Sequence, residues 1–305
     1  MTASTSSRPQ VLRAAAWMTG SIVSFSAMAV AGRAVQHSMT VFEMMTWRSG
    51  VGLVIVAAIA LTRGRLRDLP PQRLPLHILR NLAHFAGQNL WFWALSMIPL
   101  AQVFALEFTA PLWVALIAPF VLNERLTRTR ALAALVGFAG ILIVARPNPE
   151  HLNMGLVAAA LAAIGFAGSA VSTKILTRHV PVMQILFWMT LLQGIYGLAC
   201  SYAFIGHLTL PDMHSAGWLV LIGCCGLVAH FCLTTALSFA PASVVMPIDF
   251  ARLPVIAVVG MMLYGERLDL WVFVGAALIF AANAVNLRAA AAPRAATSRP
   301  LAVSR

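Results

Sequence analysis

The chain has 305 residues, a mean hydropathy of +0.85, and 10% charged residues against 60% hydrophobic ones. Soluble domains carry about 25% charged residues, so a soluble fold is excluded. The formal net charge of +12 does not indicate nucleic-acid binding, because the basic residues lie in short gaps between apolar blocks and form no single patch. The composition is typical of a protein embedded in a lipid bilayer.

The apolar residues form blocks of about 20 residues, which is the length of a membrane-spanning helix. Strands of a transmembrane barrel would be shorter and would alternate apolar and polar residues. Ten blocks are predicted as spans, with short connections: 14–35, 41–61, 76–97, 100–122, 131–145, 154–176, 182–204, 213–237, 242–263 and 270–287. The sequence thus predicts an all-α integral membrane fold with ten transmembrane helices.

The basic residues predict the orientation of these helices. Fifteen of them fall in the terminal segments and connections on one side of the membrane, and three, Arg33, Arg146 and Arg267, fall on the other. Arginine and lysine are concentrated in cytoplasmic segments, so both termini are predicted to be cytoplasmic. The apolar block after Arg13 is too long for a cleavable signal peptide, and we interpret it as the first span.

An internal repeat relates the two halves of the chain at a shift of 142 residues, or 141 in the earlier part of each half. The matched residues are Ala94-Leu95-Ser96 with Ala236-Leu237-Ser238, Pro99 with Pro241, Glu107-Phe108 with Asp249-Phe250, Glu124-Arg125-Leu126 with Glu266-Arg267-Leu268, Trp47 with Trp188 and Arg33 with Lys174. Chance could match alanines and leucines, but not these charged residues and prolines in one register. Each half contains five spans, an odd number, so the second half must enter the membrane upside down.

The predicted organisation is a first five-helix repeat at 1–150, an inverted second repeat at 151–288, and a disordered cytoplasmic tail at 289–305. The twice-repeated pattern of Ala-Leu-Ser, a proline, an acidic residue, Glu-Arg-Leu and a glycine-rich span resembles the EamA module of the drug/metabolite transporter superfamily. The resemblance implies a ten-helix inverted-repeat fold in a bacterial inner membrane. It also implies export of amino acids or related metabolites, and among family members the chain is most similar to the aromatic amino acid and drug exporters.

Six ionisable side chains lie within the predicted spans, where each costs about 2.5–3.5 kcal/mol at the centre of a helix. They are Glu43, Arg48, Arg80, Glu107, Asp249 and Arg252. In one interpretation, Glu107 or Asp249 binds the ammonium of a zwitterionic substrate while an arginine, Arg48 or Arg252, binds its carboxylate. In the other, the charges pair with each other, Asp249 with Arg252 and Arg48 with Glu107. A carboxylate or histidine could also carry a coupling proton, and facilitated diffusion is equally open.

Polar side chains in the third span of each half form a second candidate group. His84 and Gln88 are four residues apart and share a helix face with Trp91, for which we predict a contact with substrate. At the 142-residue shift Gln88 matches His230, so the two are predicted to line opposite walls of one cavity. The alternative is a set of interhelical hydrogen bonds, each worth about 0.6 kcal/mol in a membrane.

Prolines lie in the fourth span of each half. A proline removes a backbone donor and tends to kink its helix. We predict that Pro111, Pro247 and Pro254 provide the flexible points of a gate, with a static bend as the alternative.

Together these features predict a secondary transporter that works by alternating access at a cavity between the two repeats. Its predicted partners are the lipid bilayer and a small-molecule substrate, amino acids or related metabolites, with no nucleic acid, metal or cofactor. A monomer suffices for this architecture, and a dimer stays open. The alternatives are a permease for nucleosides, polyamines or cationic drugs, and an intramembrane enzyme. The sequence carries no Gly-x-Gly-Asp or His-Glu-x-x-His motif that such an enzyme would need.

Overall fold

The computed structural model describes most of the chain. The described residues are 8–70, 72–110, 112–114, 116–117, 128–146, 153–176, 179–239, 248–249, 251–267 and 269–291. Within them lie ten α-helices: α1 (Arg8–Val35), α2 (Val41–Thr62), α3 (Leu74–Met97), α4 (Leu100–Glu107), α5 (Arg128–Ala145), α6 (Met154–Leu176), α7 (Val182–Phe204), α8 (Met213–Phe239), α9 (Arg252–Tyr264) and α10 (Leu270–Ala291). A short 3-10 helix, Leu66–Asp68, follows α2.

The fold class predicted from the sequence is confirmed. Among the residues that the structure describes, five segments are long and apolar enough to cross a membrane: Leu12–Val35, Val41–Thr62, Met154–Thr173, Val182–Phe204 and Met213–Leu233. Large apolar side chains such as Phe204 and Met213 are exposed, while polar ones such as His77 and Gln193 are buried. Polar groups inside and apolar groups outside are the arrangement expected of a helix bundle in lipid.

Local signals explain where several helices begin and end. The side chain of Thr40 accepts from the backbone N–H of Glu43, and the Glu43 carboxylate accepts from the backbone N–H of Thr40. This capping box satisfies two of the backbone donors at the start of α2. At the other end of the chain, α9 stops at Gly265, whose φ of 64° is favourable only for glycine.

The helix packing obeys the symmetry of the repeat. The first helix of each half packs against the third helix of the other half, so α1 lies against α8 and α3 lies against α6. The second and fifth helices pack against their own counterparts, in the pairs α2 with α7 and α5 with α10, and α4 packs against α9 from the fourth span of the other half. A pseudo-two-fold axis between two inverted halves requires this pattern, in which each contact between the halves has a symmetry-related contact.

Glycines allow two of these pairs to approach closely. A Cβ at Gly140 of α5 would lie 2.7 Å from the carbonyl oxygen of Gly275 in α10. A Cβ at Gly165 of α6 would lie 2.8 Å from the carbonyl oxygen of Ala83 in α3. Small residues at helix contacts are a common means of association in membranes, where the hydrophobic effect does not drive helices together.

The fourth helix of each half is interrupted, which corrects the prediction of continuous spans at 100–122 and 242–263. α4 ends at Glu107, a turn follows at 108–109, and the backbone is helical again at 112–114. In the second half a turn at Ala251 separates Asp249 from α9. Each turn contains the same type of backbone hydrogen bond. The N–H of Thr109 donates to the carbonyl oxygen of Leu106 at 3.0 Å, and the N–H of Ala251 donates to that of Ile248 at 3.1 Å. These residues match at the 142-residue shift.

The end of the chain differs from the prediction in extent. α10 continues to Ala291, three residues into the segment 289–305 that the sequence predicts to be disordered. The remainder of that segment lies outside the described residues.

Candidate functional site

Three charged side chains from both halves meet beside the interrupted helices, in a cluster we call the arginine clasp: Arg252, Glu107 and Asp249. Nη2 of Arg252 donates to Oε1 of Glu107 at 3.0 Å and to Oδ2 of Asp249 at 2.9 Å. Arg252 is 3% exposed, so its charge is removed from solvent. The clasp ties α4 of the first half to the start of α9 in the second.

Aromatic rings complete the surroundings of the clasp. The Arg252 guanidinium lies over the rings of Phe25, Phe104 and Phe108, with its Cζ 4.8, 5.0 and 5.1 Å from their centroids. These cation–π contacts are strengthened by the exclusion of water. The indole Nε1 of Trp91 donates to the remaining oxygen of Glu107, Oε2, at 2.8 Å. Arg252, a candidate for binding a substrate carboxylate, is therefore held by protein groups in this conformation.

The same contacts settle how the predicted charges pair in this conformation. Asp249 pairs with Arg252, as one interpretation of the sequence had it. Glu107 pairs with Arg252 and not with Arg48, so the expected Arg48–Glu107 pair does not form. Trp91 is buried, with its ring edge-on to Phe92 and Phe104, so contact with a substrate would require it to leave this packing.

A histidine pair lies next to the clasp. The rings of His84, from α3, and His230, from α8, are 5.5 Å apart between centroids. His84 packs on Phe166 of α6 at 5.8 Å, and His230 packs on Phe25 of α1 at 5.4 Å. Each histidine thus meets a phenylalanine from the first helix of the opposite half. Phe25 and Phe166 match at the 141-residue shift, a signal that the sequence contains but that we did not use to select site residues.

The histidine pair and the clasp form one continuous site, because Phe25 contacts both His230 and Arg252. Several buried polar atoms here have no hydrogen-bond partner among the described residues, including Nε2 of His84 and Oε1 of Gln88. Gln88 lies one helical turn from His84 on α3. Buried polar atoms usually have a partner, so atoms left without one at the interface of two halves favour a ligand or water there.

The guanidinium of Arg48 approaches this site from α2. Arg48 is 7% exposed, and its Nη1 lies 3.5 Å from Sδ of Met45. A Cβ at Gly226 of α8 would lie 3.0 Å from Nη2, so this glycine leaves room for the guanidinium. Gly226 is one turn from His230, which places Arg48 beside the histidine pair.

A second ion pair joins the two halves away from the clasp, between Arg33 at the end of α1 and Glu266 after α9. Arg33 also donates to the carbonyl oxygens of Leu95 and Ile98, each at 2.7 Å, and Glu266 accepts from the backbone N–H of Leu100 at 2.9 Å. This Arg33–Glu266 latch fastens the ends of α1 and α9 to the connection between α3 and α4. We did not select either residue from the sequence, although Arg33 matches Lys174 and Glu266 matches Glu124 in the repeat.

The predicted gate prolines are only partly described. Pro111 and Pro247 lie outside the described residues. Pro254 is the third residue of α9, in a first turn whose N–H groups have no partner within the helix, so it breaks no helical hydrogen bond. The interruption comes earlier, at the turn that follows Asp249.

The sequence matches the EamA-like transporter family twice, at residues 12–146 and 153–288. The chain belongs to this family, and its two matched segments each contain five of the described helices. A crystal structure that is 22% identical in sequence shares the fold with a TM-score of 0.62, over 90% of this chain and 96% of the other.

Relatives with named functions are transporters. A riboflavin transporter of Brucella anthropi is 31% identical over 245 residues, which is 79% of this chain and 86% of the relative. An S-adenosylmethionine uptake transporter of Rickettsia bellii is 26% identical over 267 residues, 88% of this chain and 90% of the relative. A riboflavin transporter of Vibrio cholerae is 27% identical over 280 residues, with the same coverage.

The clasp predicts a large loss of stability when its cation is removed. Replacing Arg252 with methionine leaves two buried carboxylates facing each other without a counter-charge, and breaking a buried pair in this way costs about 3–5 kcal/mol. We therefore expect Arg252→Met to lower the thermal unfolding midpoint of the detergent-solubilised protein strongly.

The matched control is Arg146→Met, which removes an arginine from an ion pair with Asp269 whose side chains are 49% and 30% exposed. Exposed pairs contribute about 0–1 kcal/mol, so this variant should unfold close to wild type. Equal midpoints for the two variants would contradict a stabilising role for the clasp.

Proposed function

We propose that this protein is a secondary transporter that moves a small heteroaromatic metabolite, of the flavin or adenosyl kind, across the bacterial inner membrane by alternating access. The observation that carries the proposal is the buried polar site between two inverted halves, where the histidine pair is flanked by Phe25 and Phe166. Flat aromatic surfaces beside unsatisfied polar atoms suit a ligand with a planar ring and polar substituents. The relatives named as riboflavin and S-adenosylmethionine transporters support the same class of substrate.

Amino acids are the second candidate, and the charges of the site favour them less. A zwitterion needs an acceptor for its ammonium group. Within the described spans, the carboxylates of Glu43, Glu107 and Asp249 already accept hydrogen bonds from protein groups. Only Oδ1 of Asp249, among the oxygens of these three, is buried without a partner. One carboxylate oxygen therefore supports the amino-acid alternative, against several donors and aromatic rings for the heteroaromatic one.

Alternating access is supported by the connections between the halves. The Arg33–Glu266 latch holds the ends of α1 and α9 against the α3–α4 connection. Arg33 matches Lys174 and Glu266 matches Glu124 in the repeat, so the sequence provides the same two charges for a latch in the other conformation. Closing one latch while the other opens would expose the central site to each side in turn.

The first prediction concerns transport. Purified protein in liposomes is expected to take up labelled riboflavin or S-adenosylmethionine faster than protein-free liposomes, with a panel of aromatic, aliphatic and basic amino acids tested in parallel. His84→Ala should lower the flux, because it removes a ring from the centre of the site. His179→Ala is the matched control, since His179 is exposed between α6 and α7, and it should transport like wild type.

Two results of this assay would count against the proposal. Wild-type protein that moves none of these compounds is no transporter of this class. Flux confined to amino acids would select the second candidate. Repeating the uptake with an imposed pH gradient distinguishes proton coupling, in which the gradient changes accumulation, from facilitated diffusion.

A second prediction concerns the latch. Arg33→Glu places two carboxylates together, so this end of the bundle can no longer close and flux is expected to fall by about tenfold, the effect of some 1.4 kcal/mol. Combining it with Glu266→Arg restores an ion pair of reversed polarity and should recover part of the flux. A double variant no better than the poorer single variant would show that the pair is not a gate.

A third prediction concerns orientation. We infer from the fifteen-to-three distribution of basic residues that both termini are cytoplasmic. A reporter enzyme that works only in the cytoplasm should therefore be active when fused after Arg305. An inactive cytoplasmic reporter, with an active periplasmic one at the same position, would reverse the topology.

A further inference from the structure

A small cavity lies where the second helices of the two halves cross. Its volume is about 10 Å³, room for about one water molecule. It is lined by Arg48, Ser49, Gly52, Met189, Thr190, Gln193, Gly223 and Leu227. Because α2 and α7 are counterparts in the repeat, their crossing is a position where the pseudo-two-fold axis can pass.

The lining residues indicate that the pseudo-two-fold axis passes close to this cavity, because most of them match each other in the repeat. At the 141-residue shift Arg48 matches Met189, Ser49 matches Thr190 and Gly52 matches Gln193. Six of the eight lining residues thus form three symmetry-related pairs. Two of these pairs are unequal, since Arg48 is matched by a methionine and Gln193 by a glycine. A site on the axis keeps equivalent surroundings when the two halves exchange conformations, which is the position that alternating access requires of a substrate group.

Arg48 is the one arginine of this cavity, and it has no counter-charge there. No described carboxylate lies within ion-pair distance of it, and its Nε has no hydrogen-bond partner among the described residues. The Nε2 of Gln193, across the cavity on α7, is likewise buried without a described partner. Two residues from opposite halves that line one small space thus each carry a buried donor without a described partner.

Other buried arginines of the chain are compensated differently. Arg252 is neutralised by two carboxylates in the clasp. Arg80 donates to Oγ1 of Thr173 at 3.2 Å and to Oδ1 of Asn81 at 2.7 Å. A buried cation without such partners destabilises the fold, so its presence favours a role in binding.

We propose that Arg48, with Gln193 opposite, forms the subsite for an acceptor-only group of the transported metabolite, either a carboxylate or an adjacent ring nitrogen and carbonyl oxygen at the edge of a flavin-like ring. This inference rests on the proposed transport function. The planar fork of the guanidinium matches either group with two parallel hydrogen bonds. The cavity, with room for about one water molecule in this conformation, takes one acceptor atom of this group. The ring lies toward the histidine pair, since Gly226 beside Arg48 is one turn from His230.

The test uses Arg48→Met, which places at this position the residue that its symmetry mate already has. Removing an uncompensated buried charge should raise the thermal unfolding midpoint of the substrate-free protein, the opposite of the effect at Arg252. Transport of the substrate found for wild type should fall by about 10- to 100-fold, as expected for a hydrogen bond to a charged group. A lower midpoint for Arg48→Met would overturn the inference, because the guanidinium would then be a structural group.

Substrate analogues identify the group that Arg48 binds. For a carboxylate the comparison is S-adenosylmethionine with its decarboxylated analogue. For the nitrogen–carbonyl edge of a flavin-like ring it is riboflavin with 2-thioriboflavin, because sulfur is a weak acceptor. Wild type should prefer the parent compound about tenfold or more, and Arg48→Met should transport parent and analogue alike. Arg48→Lys, which keeps the charge without the fork, should recover only part of the preference.

Arg80→Met serves as the matched control, because it removes a second buried cation that has protein partners. It should keep the wild-type preference between parent and analogue. An equal loss of preference in Arg80→Met would overturn the subsite, since a general positive potential would then explain the effect. A wild type that transports no compound counts against the proposed function, whereas flux without any loss of preference in Arg48→Met counts against the Arg48 subsite alone.

Discussion

The ion-pair cluster between Arg252, Glu107 and Asp249 is the interaction on which the centre of this bundle depends. Each charge alone would cost several kcal/mol inside a membrane, so the three are tolerated only together. Their position is set by the backbone: Glu107 and Asp249 each lie directly before a turn that interrupts the fourth helix of its half. A turn frees backbone groups that water cannot reach, and such breaks occur in membranes only where protein or a cavity surrounds them. The clasp and the helix breaks therefore require each other and fix the site at the interface of the halves.

The inverted repeat explains why the remaining contacts come in pairs. The phenylalanines that flank the histidines, the hydrogen bonds of the two turns, and the lining of the axial cavity all follow the same register of 141 or 142 residues. One packing solution is thus used twice, so in the proposed alternating-access mechanism two conformations related by exchange of the halves would have similar energies. Small differences in binding are then sufficient to move the population from one conformation to the other.

Much of this architecture could be predicted from the sequence, because the lipid environment leaves few choices. Long apolar blocks must be helices, and charges matched between halves must mark an inverted repeat. The pairing of Asp249 with Arg252 could be predicted because residues three apart share a helix face. The pairing of Glu107 with Arg252 instead of Arg48 was not, since spacing along the chain says nothing about which helices cross. Prolines in the fourth spans predicted flexible points, but not the positions of the turns at 108–109 and at 251, where no glycine or proline stands.

The two halves differ at the positions of the buried arginines Arg48 and Arg252. Arg252 matches Ala110 in the first half, and Arg48 matches Met189 in the second, so each cation is present once. A fully symmetric pair of arginines on the axis would bring two like charges together and would fill the cavity from both sides. With one arginine and one methionine at matched positions, the cationic group stands on one wall of the axial cavity only, so in the proposed subsite an acceptor group of the substrate would point toward α2. The repeat thus supplies a scaffold that can alternate between two states, whereas selectivity for the transported metabolite has to come from positions at which the two halves differ.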